Sequence, residues 1–372
     1  MPKVDVHVAC DVVRSFRVDS LAGMFDVPIE RRVNHTFSVD VPGSDERYEI
    51  GVLVGPSGSG KTSVARHVFG DALYDPRASD WPENMAVIEG FSADVETRTI
   101  TDTLTAVGFS SPPDWVKPYH VLSNGQKFRA DLARALLSGK PLIAFDEFTS
   151  VVDRRVALTG AIAVEKAVRR GGLVKKFVAV TCHYDVIPYL QPDWVLDMAT
   201  QELARGRLRR PDFRIEVVRC AGAAWRLFKR HHYLSADMHP SCQCFMALME
   251  GEPVAFCAML HTMGYPGYCR ISRIVTLPDY QGIGVGSRLM EFSAQYMLSN
   301  LGYKVVRIQG SHPGIVWHCN RSPKWRLLEV KMGGNKKHGK ATDHKRETAT
   351  SAGRPIVSFE YVAVDRGKPD LL

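Results

Sequence analysis

Gly55-Pro-Ser-Gly-Ser-Gly-Lys-Thr62 is the stretch whose reading decides the fold. It satisfies G-x-x-x-x-G-K-[ST] at every position. An apolar run over residues 50–54 leads into it, and a helix-compatible run over residues 63–69 follows. A strand, a glycine loop and a helix are therefore predicted in that order, which is the context this motif requires. The glycines let successive backbone N–H groups converge on phosphate oxygens, and the helix behind them adds its positive N-terminal end. Gly55, Pro56, Ser57, Gly58, Ser59, Gly60, Lys61, Thr62 and Ser63 are the expected ATP-binding residues. Lys61 is expected to reach the β and γ phosphates, and the Thr62 hydroxyl to ligate Mg²⁺.

Working outward, Pro141-Leu-Ile-Ala-Phe-Asp-Glu147 reads as a second apolar strand ending in two carboxylates. Asp146 is placed to hold Mg²⁺ through water, and Glu147 to polarise the attacking water. Between the two strands lies Leu122-Ser-Asn-Gly-Gln126, running into a helix. This turn resembles the signature L-S-G-G-Q of the ABC-type ATPases, with Asn for the first Gly. Ser150-Val-Val-Asp153 resembles that family's D-loop, and Thr181-Cys-His183, after the strand 177–180, its switch-histidine strand. These motifs occur in the family's order over about residues 50–185.

The resemblance implies a head-to-tail dimer, each ATP lying between one subunit's P-loop and the other's signature helix. Ser123, Asn124 and Gly125, with Gln126, would face the γ-phosphate in trans. His183 would contact it from the P-loop side, beside Lys61 and Glu147, with Asp153 in the D-loop. One such domain per chain implies an ATP-dependent homodimer. The sequence also departs from the family. Residues 66–124 contain no glutamine, so the Q-loop residue is missing, and Glu89 or Asp94 is the candidate substitute. The same segment is short, which implies a trimmed helical subdomain. Phe25 or Phe16 is the candidate to stack on adenine.

A polar, basic run over residues 202–211 ends in proline and reads as a linker, dividing the chain into 1–205 and 206–372. After it the pattern changes: strand 213–220, helix 221–233, a hairpin of 242–249 with 253–261, strand 270–277, helix 284–301 and strand 304–308. In Gln281-Gly-Ile-Gly-Val-Gly286 a strand enters a glycine turn and then a helix, a second anion cradle. These residues resemble the [RQ]-x-x-G-x-[GA] motif of the GNAT acyltransferases over about residues 212–330. That resemblance implies an acyl-coenzyme A donor, acetyl-CoA by preference. Its pyrophosphate would be held by Gln281, Gly282, Ile283, Gly284, Val285 and Gly286, and its pantetheine arm would pair with Ile274, Val275 and Leu277. Catalysis in such a site is mainly proximity of an amine to the thioester. The region where many members carry a catalytic tyrosine, residues 311–325, has none. His312 and His318 are the candidates there, with Cys319 or Ser272. His231, His232 and Tyr233 are candidates on the acceptor side. The fold class expected is α/β: an ABC-type P-loop NTPase domain followed by a GNAT-like α/β domain with a mixed sheet.

Composition sets the remaining limits. The 372 residues carry a formal net charge of +8, with 45% hydrophobic and 24% charged residues. Residues 1–211 hold 26 basic against 27 acidic side chains, and residues 212–372 hold 22 against 13. The basic surplus thus lies in the second half, which favours a polyanionic partner such as DNA or RNA, or an anionic cofactor. The basic, glycine-rich run 331–346 reads as a mobile loop. No stretch reaches the ~18–20 apolar residues of a membrane helix, and no apolar signal core stands at the N-terminus. A cytoplasmic protein without a membrane partner is expected, its eight cysteines thiols rather than disulfides. Cys242, Cys244, Cys269 and Cys319 with nearby histidines lack the tight ligand pairs of structural zinc. Two functions from different classes follow: an ATP-gated acyltransferase acting on a macromolecule, or an ATP-driven nucleic-acid clamp with a non-catalytic GNAT-like domain. A transporter subunit is the third.

Overall fold

The computed structural model describes residues 3–11, 13–25, 32–171, 174–207, 214–232, 238–332 and 355–362. In chain order these form β1 (Lys3–Asp11), α1 (Phe16–Phe25), β2 (Arg32–Asp40), β3 (Ile50–Val54), α2 (Lys61–Phe69) and β4 (Leu73–Tyr74). There follow α3 (Thr97–Ala106), α4 (Pro112–Trp115), α5 (Asn124–Leu136), β5 (Leu142–Phe145), α6 (Arg154–Gly171), β6 (Lys176–Thr181), α7 (Ile187–Leu190), β7 (Trp194–Asp197) and β8 (Glu202–Arg205). The last stretch holds β9 (Glu216–Cys220), β10 (Gln243–Met249), β11 (Glu252–His261), β12 (Tyr268–Thr276), α8 (Val285–Leu301), β13 (Val305–Gly310), α9 (Pro313–Arg321), β14 (Trp325–Met332) and β15 (Pro355–Tyr361).

These elements gather into two compact units that do not follow chain order. The first holds residues 1–80, 138–151 and 168–210, and the second holds 81–137, 152–167 and 211–372. In the first unit six strands form one sheet in the order β4-β5-β6-β3-β7-β8. Every neighbouring pair is parallel except β7 with β8. A strand covered on both faces reads as a continuous apolar run, and β3 and β5 are buried at every position. Trp194 fixes the packing of β3, since a Cβ on Gly51 would fall 2.1 Å from its ring. Asp193 accepts from the N–H groups of Glu49 and Ile50 at 2.8 and 3.0 Å, and so anchors the start of the strand that leads into the glycine loop.

The second unit is built on a seven-stranded sheet in the order β14-β15-β13-β12-β11-β10-β9. It is mixed: β12 and β13 run parallel and the other pairs antiparallel. Leu289, Met290, Ala294 and Met297 of α8 enter a core with Phe245, Ala255, Val306 and Phe359. The same unit includes the helical segment α3–α5. Its centre is a polar knot under an aromatic stack. Asp131 is buried and accepts from Trp81 Nε1 at 2.7 Å and from the Tyr119 hydroxyl at 2.6 Å. The two rings stack at 4.7 Å, and the Arg134 guanidinium lies over Trp81 at 4.6 Å.

Two expectations need correction. The helix expected over residues 221–233 is two 3₁₀ turns, Gly222–Leu227 and Lys229–His231. A 3₁₀ turn eclipses i and i+3, and this brings Trp225 and Phe228 together against Phe256. The run 202–211 is not linker throughout, because Glu202–Arg205 pairs antiparallel with β7. Leu203 lies opposite Leu196 there and packs on the core of the first unit. Of the basic run 331–346, Lys331 and Met332 close β14, and the rest lies outside the described residues. The hairpin of β10 and β11 turns at Glu250 and Gly251, with φ 54° and 80°. Two consecutive positive φ values are what a tight two-residue hairpin needs.

Candidate functional site

The first site is built at the carboxyl ends of β3, β5 and β6. Gly58 and Gly60 have φ 80° and 85°, a region that side chains avoid. A Cβ on Gly60 would also lie 2.4 Å from the Phe37 ring. The loop thus needs glycine both for conformation and for space. Lys61 folds back over it and donates to the Pro56 carbonyl at 2.7 Å. The Thr62 hydroxyl donates to Asp146 Oδ1 at 3.1 Å. Burial pushes the Asp146 carboxyl up, against the hydrogen bonds it accepts from the Glu147 N–H and Thr62. A buried carboxylate beside a hydroxyl is a hard oxygen donor set, so these residues fit a small divalent cation such as Mg²⁺.

Glu147 follows with φ 50° and Thr149 with φ 69°. His183 Nδ1 lies 3.0 Å from the Thr149 hydroxyl, and the His183 N–H donates to Thr181 Oγ1 at 3.1 Å. One further side chain reaches this site without any sequence signal. Arg77 follows β4, which pairs with β5. Its guanidinium makes contacts of 3.0 and 3.3 Å to Asp75, 3.4 Å to Asp146 Oδ2 and 3.5 Å to Glu147 Oε1. Arg77 and Asp75 therefore stand at the two carboxylates. Glu89 lies in the 3₁₀ turn Val87–Gly90, and Asp94 is exposed. Phe16 and Phe25 are exposed on α1.

The signature turn belongs to the second unit. Ser123 caps α5: its Oγ accepts from the Gln126 N–H at 3.3 Å, and its own N–H donates to Gln126 Oε1 at 3.0 Å. This reciprocal box satisfies two of the N–H groups that a helix start leaves open. Ser123 and Asn124 are exposed, and Gly125 is half-buried. The amide of Gln126 also donates to Asp114 at 2.9 Å, so that side chain is committed to the turn itself. Asp153 caps the start of α6 by accepting from the Val156 N–H at 3.0 Å.

The second glycine loop lies between β12 and α8. Strands β12 and β13 pair only from Tyr268 to Arg270 and from Val305 to Arg307. Beyond Arg270 they part, so the β13-facing edge of residues 271–276 has no strand beside it among the described residues. Ile274 and Val275 lie on that stretch, and Leu277 just after it. The chain then makes the turn Pro278–Tyr280 and passes through Gly282 and Gly284, with φ 82° and 95°, into α8. A Cβ on Gly286 would lie 2.5 Å from Thr276 Oγ1, so glycine lets the first turn of α8 sit on β12. The Gln281 side chain is occupied: Nε2 donates to the Thr276 carbonyl at 3.0 Å, and Oε1 accepts from Ser110 Oγ at 2.6 Å.

His312 caps α9, with Nδ1 accepting from the Gly314 N–H and Nε2 at 2.9 Å from the Ser110 carbonyl; burial pulls its pKa down. His318 Nε2 lies 2.9 Å from Glu291, which also accepts from Ser322 at 3.0 Å and Lys324 at 2.7 Å. Burial opposes ionisation of Glu291, yet these donors outweigh it and hold the carboxyl at about 2. Burial pushes the Cys319 thiol up to about 12. The His231 pKa is lowered by burial and by Arg230. His232 packs edge-on to Trp225 at 5.6 Å, and Tyr233 lies outside the described residues. No group of three or more His, Cys, Asp or Glu among the described residues is arranged to hold a metal.

Comparison with known proteins finds two kinds of similarity. Residues 208–313 match the model of the Acetyltransferase (GNAT) family. An aliphatic sulfonates import ATP-binding protein of Rhodopseudomonas palustris is 32% identical over 162 residues, covering 36% of this chain and 55% of the relative. A cytochrome c biogenesis ATP-binding export protein of Roseobacter denitrificans is 34% identical over 138 residues, covering 32% of this chain and 66% of the relative. The chain thus spans between half and two thirds of the length of these curated relatives. Among solved structures, a post-hydrolysis dimer of an ATP-binding cassette with ADP and Pi aligns with 49% of this chain and 94% of its own (TM-score 0.38, 16% identity). An IAA acetyltransferase from Bacillus cereus aligns with 40% and 99% (TM-score 0.31, 14% identity). An ABC-ATPase-like region is followed by a GNAT-like region, and no described helix is long and apolar enough to cross a membrane.

Proposed function

We propose that this chain hydrolyses ATP in an ABC-type site and uses a homodimer assembled by ATP to govern an acyl-CoA-dependent N-acyltransferase site. The two modules are residues 1–205 and 206–372. The observation that carries the reading is the joint presence of two glycine loops, each between a strand and a helix, with Thr62 and Asp146 paired behind the first. Lys61 leaves Pro56 to meet the phosphates. Thr62 and Asp146 hold Mg²⁺, which, when bound, neutralises charge on the β and γ phosphates. Glu147 orients and polarises the attacking water, and His183, held by Thr149, faces the γ-phosphate. Ser123, Asn124 and Gly125 of the partner close the site.

In the second module the N–H groups around Gly282–Gly286 hold the pyrophosphate of acetyl-CoA, and the open edge near Ile274 and Val275 receives its pantetheine arm. Proximity of the acceptor amine supplies most of the rate. The basic surplus of the second half favours DNA or RNA as acceptor, the protein being cytoplasmic. Radiolabelled acetyl-CoA, incubated with the protein, ATP and either nucleic acid or amine acceptors, is expected to label the acceptor. Absence of transfer to every acceptor would remove the acyltransferase reading.

A specific observation favours a second reading. His312, His318 and Cys319 are each held by helix capping, a carboxylate or burial. An ATP-driven nucleic-acid clamp needs no acid or base in α9. It predicts binding that weakens steeply with salt and no acetyl transfer.

A further inference from the structure

The loop assigned to acyl-CoA does not rest on its own sheet alone. Within the second unit it is keyed into the helical segment that carries the signature turn. Gly282 and Gly108 meet with φ 82° and 87°. A Cβ on Gly282 would lie 3.1 Å from the Gly108 Cα, and one on Gly108 would lie 2.9 Å from the Gln281 carbonyl oxygen. Conformation and space both exclude a side chain at either position. Around this contact, the N–H and hydroxyl of Ser110 donate to Gln281 Oε1 at 3.2 and 2.6 Å. Lys166 Nζ donates to the Gly282 carbonyl at 3.2 Å.

Arg129 continues this joint toward the signature. It stands one turn after Gly125 on α5, with its side chain 2% exposed. Its Nε lies 3.4 Å from the Cβ position of Gly108, and its Nη1 lies 3.8 Å from that of Gly125. Nη2 has no hydrogen-bond partner among the described residues. A buried guanidinium with an orphan N–H is costly. Arg129 thus lies between the first turn of α5 and Gly108, which itself packs against the Gln281–Gly282 loop.

We propose that the signature turn and the acyl-CoA loop act as one element, so that ATP engaged at Ser123–Gly125 changes acyl-CoA affinity through Arg129 and the Gly108–Gln281–Gly282 joint. The proposal rests on the two-ligand reading above. Linkage makes it reciprocal: acyl-CoA changes ATP affinity by the same factor.

The test uses the full chain carrying Glu147→Gln to hold ATP, with acetyl-CoA as titrant in a calorimeter. The affinity with Mg²⁺ and ATP is compared with that in Mg²⁺ and ADP. A ratio of about fivefold or more is expected, the lower end of ordinary coupling. Adding Ser110→Ala with Lys166→Met, or Arg129→Met in a separate protein, should bring the ratio within about twofold of one, while each ligand alone still binds. Should Arg129→Met fail to fold, the Ser110→Ala, Lys166→Met protein decides. A ratio of one before these changes, or a ratio that survives them, overturns the coupling. Absence of acetyl-CoA binding in every nucleotide state overturns the two-ligand reading itself, and the coupling with it.

Discussion

Arg77 reaches Asp75, Asp146 and Glu147 with a single guanidinium. Its hydrogen bonds to Asp75 aim it, so its charge is spread over Asp146 and Glu147, the two carboxylates proposed to serve hydrolysis. Replacing it with Ala should leave ATP affinity within about threefold but lower kcat about tenfold, since a mispositioned general base loses part of a 10²–10⁴-fold contribution. Steady-state hydrolysis with a fluorescent-nucleotide titration measures both, and Arg77→Lys should recover part of kcat. An unchanged kcat would remove Arg77 from the site. No motif betrayed this residue, because its position comes from the β4–β5 pairing, which joins stretches about 70 residues apart. The glycine loop, by contrast, was legible because its conformational requirements are local, even though Phe37 also limits the space at Gly60. Eight consecutive residues specify the positive φ values, the phosphate cradle and the start of α2.

At the scale of elements, Glu291 ties α8 to the end of α9 and to Lys324, just before β14. Its folded pKa of about 2 lies below its ordinary value of 4.5. The stability it contributes is therefore complete above pH 4.5 and is lost as pH falls toward 2. Glu291→Gln should destabilise the second unit at pH 7 by on the order of 1–2 kcal/mol, discounted because Lys324 is partly exposed. The variant should also lose stability less steeply between pH 4.5 and 2, as read by urea midpoints across that range. Strands β3, β5, β6 and β9–β13 and helix α8 were readable from apolar runs bounded by turn residues, whereas β14 and β15 were not expected. The 3₁₀ turns after β9 were not, since the i, i+3 contacts of Trp225 and Phe228 also suit an α-helix over so short a run. Strand β8 was hidden because its polar, basic sequence reads as linker. It pairs because Leu203 finds Leu196 across the sheet.

At the scale of the whole molecule, the sequence identifies two glycine loops separately, and it does not show what the second of them packs against within its own unit. Gly108, Ser110 and Lys166 carry no motif, and each matters only because the fold brings it against the Gln281–Gly282 loop. The central claim is that the first loop is half of a composite ATP site, completed by the Ser123–Gly125 turn of a second copy. Glu147→Gln removes the carboxylate proposed to polarise water while leaving Thr62 and Asp146 in place. Light scattering on that variant with saturating Mg²⁺ and ATP tests the claim most directly. A stable dimer is expected, reverting to monomer with ADP or when Ser123→Arg is added; a monomer that persists under saturating ATP would contradict it.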